Sequence, residues 1–450
     1  MYLDKFFKAK SVAIIGVSKD ENKVGHVLFK NLLESGYKGK IFIINPNETE
    51  ILGHICYPSV LSIKEKIDLA VIAIPANIIL NVVDECGRKG IKNLVIVTSG
   101  FEEVGNFELR DKLKKLLDQY DIKAIGPNCL GIYDANAKID LIFLPKSRMK
   151  RPEKGNISLV CQSGAVGGAL IELGAKKNYK FAKFISYGNA INIDESDILE
   201  YLGKDKETKI ICMYIEGIKD GKKFLEIAKK VSKKKPIIVV KGGVTEEGSK
   251  AALSHTGSLA GSAVVYSGAF KQANVIEADG LEELFEFAKI FSVVKPKGNR
   301  VQVITNGGGY GILCTDAIIK NNLKMAAMDE KRKTQLKKQF PDIVVLKNPL
   351  DLTGVATTKW YESAISECIK DDNIDIILVV TLFQTPLITE EIVNSLSKLN
   401  KMRKKPIIVV STGAEFTEKL NKKIKDAGIP VYEFPEMAVK SIKKLIEYYS

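Results

Sequence analysis

Short runs of β-branched apolar residues alternate with amphipathic stretches along the whole chain, and this alternation narrows the fold more than any other feature. Ser11–Gly16, Lys40–Pro46, Leu69–Pro75, Asn93–Thr98 and Lys123–Gly126 read as buried strands. Between them Val24–Ser35, Ile78–Lys89 and Leu109–Tyr120 read as helices. Strands that are apolar throughout, joined by crossover helices, form a parallel sheet covered on both faces. This block ends near Leu141, and the polar stretch Pro145–Gly155 reads as a linker.

A second α/β block starts at Asn156. Its expected strands are Ile157–Gln162, Phe181–Ser186, Ile210–Glu216 and Pro236–Lys241. Its expected helices are Ala165–Lys177, Ser196–Leu202, Lys222–Val231 and Leu281–Phe291. A second linker, Val294–Arg300, precedes a third block with strands at Val301–Thr305, Ile374–Leu382 and Pro406–Ser411. The expected domains are therefore residues 1–145, 155–294 and 299–450, consistent with 450 residues at about 100–200 per domain. Blocks two and three look like repeats. Each opens on a strand running into a small-residue turn, at Gln162 and at Asn306, and each carries Lys-Lys-Pro-Ile-Ile-Val-Val, at Lys234–Val240 and Lys404–Val410. Only the second continues into a segment with a histidine.

The formal charge of +14 does not indicate a nucleic-acid partner. Seven of the 68 basic residues are Arg and the rest are scattered Lys, whereas nucleic-acid readers rely on Arg forks and basic stripes. No apolar run approaches the ~20 residues that span a bilayer, and the N-terminus has no signal-peptide core. The seven Cys lie far apart without a CxxC, and only three His occur. This excludes a disulfide framework and gives no metal site. A reduced, cytoplasmic protein is expected.

His255 lies in Ser254-His255-Thr256-Gly257-Ser258, after Gly242, Gly243 and Gly248. The sequence reads as a mobile loop after a strand, which suits an imidazole that offers a nitrogen to phosphate; a lone His is as readily structural. Ser163-Gly164-Ala165 closes a strand and opens a helix, where backbone N–H groups favour an anion; an ordinary βα turn looks the same. Glu216 ends a strand at the carboxyl edge of its sheet, where it could hold a His in one tautomer or simply cap a helix. In the first block Gly16 and Gly25 are nine residues apart, which is not GxGxxG. The second strand ends in Asn45-Pro46 with no acid for a ribose, which disfavours a nicotinamide cofactor.

These segments together resemble a known family. VAIIGVSKDENKVGHVLFKNLLESGYKGKIFIINP, AIPA at Ala73–Ala76, TSGFEE at Thr98–Glu103, AIGPNCLGI from Ala124, SLVCQSGAVGGAL, SYGNAINID from Ser186, YIEG, KGGVTEEGSKAALSHTGSLAGS and NPLDLTG from Asn348 are similar to the α subunits of the NDP-forming acyl-CoA synthetases. These enzymes belong to the succinyl-CoA synthetase superfamily, and the ADP-forming acetyl-CoA synthetases are the closest pattern. The resemblance spans essentially the whole chain. It implies a Rossmann-like CoA-binding domain followed by two flavodoxin-like parallel-sheet domains. Gly16, Ser18 and Lys23 match the loop over the CoA phosphates, and Asn45, Pro46, Pro75 and Ala76 the nucleotide lining. Ser99, Gly100, Phe101 and Asn128 match the pantetheine side, and Asn189 a neighbour of the acyl group. His255 is implied as the phosphorylated residue, Glu216 as its carboxylate partner, and Ser163, Gly164 and Ala165 as the turn gripping its phosphate.

The implied reaction converts acyl-CoA, phosphate and ADP to carboxylic acid, CoA and ATP, through an acyl phosphate and phospho-His255. No P-loop and nothing like an ATP-grasp domain is legible. A separate ATP-grasp β subunit in an α2β2 assembly is therefore expected to hold most of the nucleotide and its Mg²⁺. The contrasting expectation is a catalytically silent CoA- or nucleotide-binding regulator with the same fold.

Overall fold

The computed structural model describes residues 3–256 and 262–450, without the side chains of residues 252–256. It divides into two compact units, Met1–Leu284 and Phe285–Ser450. The first unit holds two sheets. In one, the strands run in the order Glu50–Ile51, His54–Tyr57, Lys40–Ile44, Ser11–Ile15, Leu69–Ile72, Asn93–Ile96, Lys123–Ile125. All neighbours are parallel except the short pair Glu50–Ile51 and His54–Tyr57. Successive residues of Ser11–Ile15 feed two separate cores. Val12 and Ile14 pack with Leu28 and Phe29, whereas Ala13 and Ile15 pack with Val83 and Leu113. This is the period-2 alternation of a strand buried on both faces.

The other sheet of this unit runs Ile276–Glu277, Ile237–Lys241, Ile210–Ile215, Lys154–Cys161, Phe181–Ser186, Gly131–Asp134, Ile139–Ile142. Its last two strands form a hairpin that pairs antiparallel with Phe181–Ser186. Residues 131–142, which read as the end of the first block, thus complete the second sheet. Lys154–Cys161 begins at the end of the stretch read as linker.

The hairpin is pinned by a buried ion cluster. Lys183 is 2 % exposed, and its Nζ lies 3.1 Å from Asp134 on the hairpin, 3.1 Å from Asp205 and 2.8 Å from Glu207. Its ammonium also sits over the Phe7 ring, 5.8 Å from the centroid. A buried charge is tolerable only when paired, and removing one partner strands the others. Lys183→Met is expected to destabilise the first unit by about 3–5 kcal/mol, read as a fall in its denaturation midpoint.

The second unit starts inside the helix Leu281–Ile290, whose end packs into the third core through Ile290. Its sheet runs Val345–Leu346, Leu350–Asp351, Arg300–Thr305, Ile376–Val380, Ile407–Val410, Val431–Tyr432, with Lys324–Met325 also against Arg300–Thr305. The repeat read from the sequence is visible here. Lys154–Cys161, Ile210–Ile215, Ile237–Lys241 and Ile276–Glu277 have the same spatial order as Arg300–Thr305, Ile376–Val380, Ile407–Val410 and Val431–Tyr432. Both copies use one device at the sheet edge. Gln162 Oε1 accepts from the Glu216 amide at 2.8 Å, and Asn306 Oδ1 accepts from the Leu382 amide at 2.9 Å. All seven Cys are buried free thiols.

Candidate active site

In the first sheet the chain crosses to opposite sides of Ser11–Ile15, which opens a crevice at the carboxyl ends of the central strands. Gly16 sits at its base with φ +96°, and a Cβ there would stand 2.2 Å from the Ala73 carbonyl oxygen. The helix Val24–Glu34 comes so close that a Cβ on Gly25 would lie 2.0 Å from the Gly16 carbonyl oxygen. The nine-residue glycine spacing is therefore the two sides of one backbone contact. The loop between them is internally braced. Ser18 Oγ accepts from the Asp20 amide at 3.1 Å, and the Ser18 carbonyl lies 2.8 Å from His26 Nδ1. Lys23 is the exposed residue before the helix.

Asn45 Nδ2 donates to the Val17 carbonyl at 2.7 Å, tying the end of the second strand, and Pro46 after it, to this loop. Pro75 and Ala76 lead into the short 3-10 turn Ala76–Ile78 after Leu69–Ile72. Ser99, Gly100 and Phe101 follow Asn93–Ile96. All of these residues, with Asn128, thus follow carboxyl ends of strands of one sheet.

The second sheet presents its own carboxyl edge. Ser163 caps the helix Gly164–Lys176, its side chain accepting from the Val166 amide, with Gly164 and Ala165 in the first turn. Glu216 follows the neighbouring strand, is 6 % exposed, and is hydrogen-bonded by the Tyr214 hydroxyl. Lys241 ends the next strand, with its ammonium 4.7 Å from the centre of the Tyr266 ring. Burial pushes the Lys241 ammonium down, against the charge of Glu216.

His255 corrects the loop expectation. It falls near the end of the helix Glu246–Thr256, and its side chain lies outside the described residues. The helix starts because Thr245 Oγ1 accepts from the Gly248 amide at 3.0 Å and Glu246 and Glu247 occupy the first turn. This helix packs against the 3-10 turn Glu102–Val104 of the first sheet's edge.

The two edges meet where the chain passes from one sheet to the other. The Asn189 amide donates to the Pro127 carbonyl and the Ile191 amide to the Gly126 carbonyl, both at 3.0 Å. Asn128 Nδ2 donates to Asn189 Oδ1 at 3.2 Å, and Glu103 Oε2 accepts from Asn189 Nδ2 at 2.7 Å. Lys219 Nζ donates to the Asn189 and Ala190 carbonyls at 2.7 and 2.8 Å. Sequence reasoning passed over Gln162, Glu103, Lys219 and Lys241. Gln162 precedes Ser163, Glu103 closes the TSGFEE string, Lys219 lies three residues past Glu216 and Lys241 precedes Gly242, and that proximity was the available signal.

Glu195 opens the helix Glu195–Lys204 and is 1 % exposed. Burial pushes its carboxyl up to about 7, against the pull of its own backbone amide and Lys219. The unfolded chain ionises this group near 4.5. Between those values only the folded chain keeps the proton, so stability falls as pH rises through the interval and stays lower above it. Glu195→Gln is expected to stabilise the first unit by up to about 3 kcal/mol at pH 8 and by much less at pH 5. Denaturant midpoints at the two values check this.

Three family models match in succession: a CoA binding domain over residues 10–135, a succinyl-CoA ligase like flavodoxin domain over 154–291, and a Ligase-CoA domain over 301–444. The chain is 39 % identical to the acetate–CoA ligase [ADP-forming] II subunit alpha of Pyrococcus furiosus, over 99 % of this chain and 97 % of that one. It is 42 % identical to the acetate–CoA ligase [ADP-forming] of Methanocaldococcus jannaschii, spanning 98 % of this chain and 62 % of that protein. A dinucleotide forming acetyl-coenzyme A synthetase 1 of Ca. Korarchaeum cryptofilum, solved with phosphate and ADP, superposes with a TM-score of 0.93. It is 36 % identical, covering 100 % of this chain and 97 % of that one.

Proposed function

The chain belongs to the family of ADP-forming acetate–CoA ligases, as a counterpart of their α subunits, and on that premise we propose how its residues divide the reaction. The reading is carried by one observation: the carboxyl edges of two parallel sheets meet at Asn128 and Asn189. A CoA lying along the first edge then delivers its thioester to the second. In this reading Gly16, Ser18 and Lys23 hold the CoA phosphates. Asn45, Pro46, Pro75 and Ala76 line its nucleotide, and Ser99, Gly100, Phe101 and Asn128 its pantetheine. The acyl group ends beside Asn189. The three domains divide as 1–145, 155–294 and 299–450, with the hairpin of residues 131–142 lent to the second.

Inorganic phosphate held at the first turn of Gly164–Lys176 attacks the thioester carbonyl, and the CoA thiolate leaves. The amides and dipole of that helix start, with Ser163, Gly164 and Ala165, offset the phosphate charge. His255 then takes the phosphoryl group from the acyl phosphate, the carboxylate leaving, and passes it to ADP. Glu216 accepts the other ring N–H of His255, which fixes the tautomer and steadies the cation formed. Splitting the transfer through a covalent intermediate replaces one difficult step by easier ones.

The nucleotide and its Mg²⁺ belong to an ATP-grasp β subunit in an α2β2 assembly. Support comes from the subunit alpha named in Pyrococcus furiosus, to which this chain is 39 % identical. Bound Mg²⁺ would neutralise phosphate charge there. In this reading the setting is cytoplasmic. A silent regulator would have no use for a phosphorylatable histidine.

Incubation with acetyl-CoA, radiolabelled phosphate and Mg²⁺ is expected to label the chain with an acid-labile, base-stable phosphoryl group. His255→Ala is expected to abolish the label, and Glu216→Gln to slow its appearance by about 10²-fold. An unlabelled wild-type chain, or label that survives His255→Ala, overturns the reading.

A further inference from the structure

Glu103 lies on the 3-10 turn Glu102–Val104, just past the Ser99–Phe101 segment. Its carboxylate is used on both sides. Oε1 accepts from the Gly100 amide at 2.6 Å and the Phe101 amide at 3.2 Å, and Oε2 accepts from Asn189 Nδ2 at 2.7 Å. Burial pushes this carboxyl up, but the Gly100 and Asn189 donors outweigh it and hold it below the usual range. It is therefore ionised at neutral pH and can only accept.

That restriction propagates. An acceptor at Glu103 obliges Asn189 to turn its NH2 toward it, leaving Asn189 Oδ1 toward Asn128. Asn128 must then turn its own NH2 toward Asn189, as the 3.2 Å contact requires. Asn189 cannot escape by moving. It is 7 % exposed, its amide is bonded to Pro127 and its carbonyl to Lys219. Gly188 before it sits at φ +53°, where a Cβ would lie 2.3 Å from the Asn128 carbonyl oxygen. Asn128 is the more exposed member of the pair.

We propose that Glu103 is a positioning residue which, through Asn189, sets the donor–acceptor polarity that Asn128 presents to the thioester end of the substrate. The proposal rests on the reading of Asn128 and Asn189 as the acyl end of the site. Glu103 touches no substrate atom in this scheme. It decides which face of the Asn128 amide the substrate meets, and it fixes the Gly100–Phe101 backbone with the same group. The helix bearing His255 packs on the turn that holds Glu103, so the clamp also borders the element that receives the phosphoryl group.

The logic can be inverted by exchange. Glu103→Gln keeps the acceptor for Gly100 and Phe101 but turns an NH2 toward the Asn189 NH2. Asn189→Asp opposes two carboxylates. The double variant Glu103→Gln/Asn189→Asp restores every hydrogen bond with the roles swapped, and Asn128 again donates. Kinetics are measured on the complex with the partner subunit, using acetyl-CoA, ADP and phosphate. Each single variant is expected to lower kcat at least tenfold, with KM for acetyl-CoA changed less than threefold, since the nucleotide end of the site is untouched. The double variant is expected to raise kcat at least threefold above either single variant. Wild-type kcat in Glu103→Gln, or a double variant as slow as the single ones, overturns the proposal. An inactive wild-type complex fails the functional reading instead, so the two failures are distinguishable.

Discussion

The passage of the chain from Ile125 to Gly131 is the constraint on which the arrangement of the first unit depends. Within six residues the backbone leaves the carboxyl edge of one sheet and becomes an edge hairpin of the next. It has no slack to do otherwise. Gly126 takes φ +101°, Asn128 +57° and Gly131 +116°. A Cβ on Gly126 would press to 2.3 Å from the Ile96 carbonyl oxygen, and one on Gly131 to 1.9 Å from the Leu141 carbonyl oxygen. Carbonyls exposed by this bend are taken by Asn189 and Ile191 from the other sheet. The joint is therefore a hydrogen-bonded seam rather than a tether, and it holds the carboxyl edges of both sheets at one place.

Around that seam the polar groups are arranged to be fully determined. Buried amides and carboxylates cost free energy unless paired, so Glu103, Asn128, Asn189 and Lys219 are positioned by one another. Glu195 beside them is an exception. One of its carboxylate oxygens, Oε1, has no hydrogen-bond partner among the described residues, and burial moves its proton affinity accordingly. Rigidity of this kind serves a site that binds charged groups in turn, because preorganised dipoles need not reorient during a reaction.

Much of this was legible in the sequence. The apolar strands were found to within a few residues, since burial on both faces leaves a continuous Val/Ile signal whatever the neighbours. The residues at the strand ends were found because Gly, Ser, Asn and Pro mark the turns where such sites gather. Two features were not legible. Residues 131–142 carry no trace of which sheet they join, because pairing is decided by Asp134 meeting Lys183 about fifty positions away. The segment before His255 reads as a loop through Gly242, Gly243, Gly248 and Ser254. It is helical because Thr245 caps it, and Glu246 and Glu247 favour its dipole. A Thr followed by two acids was the signal to weigh against the glycine.

The repeated sheets show how little of the chemistry the fold itself determines. Both copies share strand order and the amide clasp of Gln162 or Asn306 on the neighbouring strand's exit. Glu216 follows the clasped strand in the first copy, whereas Thr381 and Leu382 occupy that exit in the second. The helix starts differ as well: Ser163 caps one with its side chain, and Gly307 offers only backbone at the other. Two copies of one scaffold thus present a helix start at a sheet edge, with Glu216 at the neighbouring strand's exit in the first copy and the Asp351 carboxylate beside Gly308 in the second. On a repeated scaffold of this kind function lives in a few residues grafted at strand ends rather than in the strands themselves.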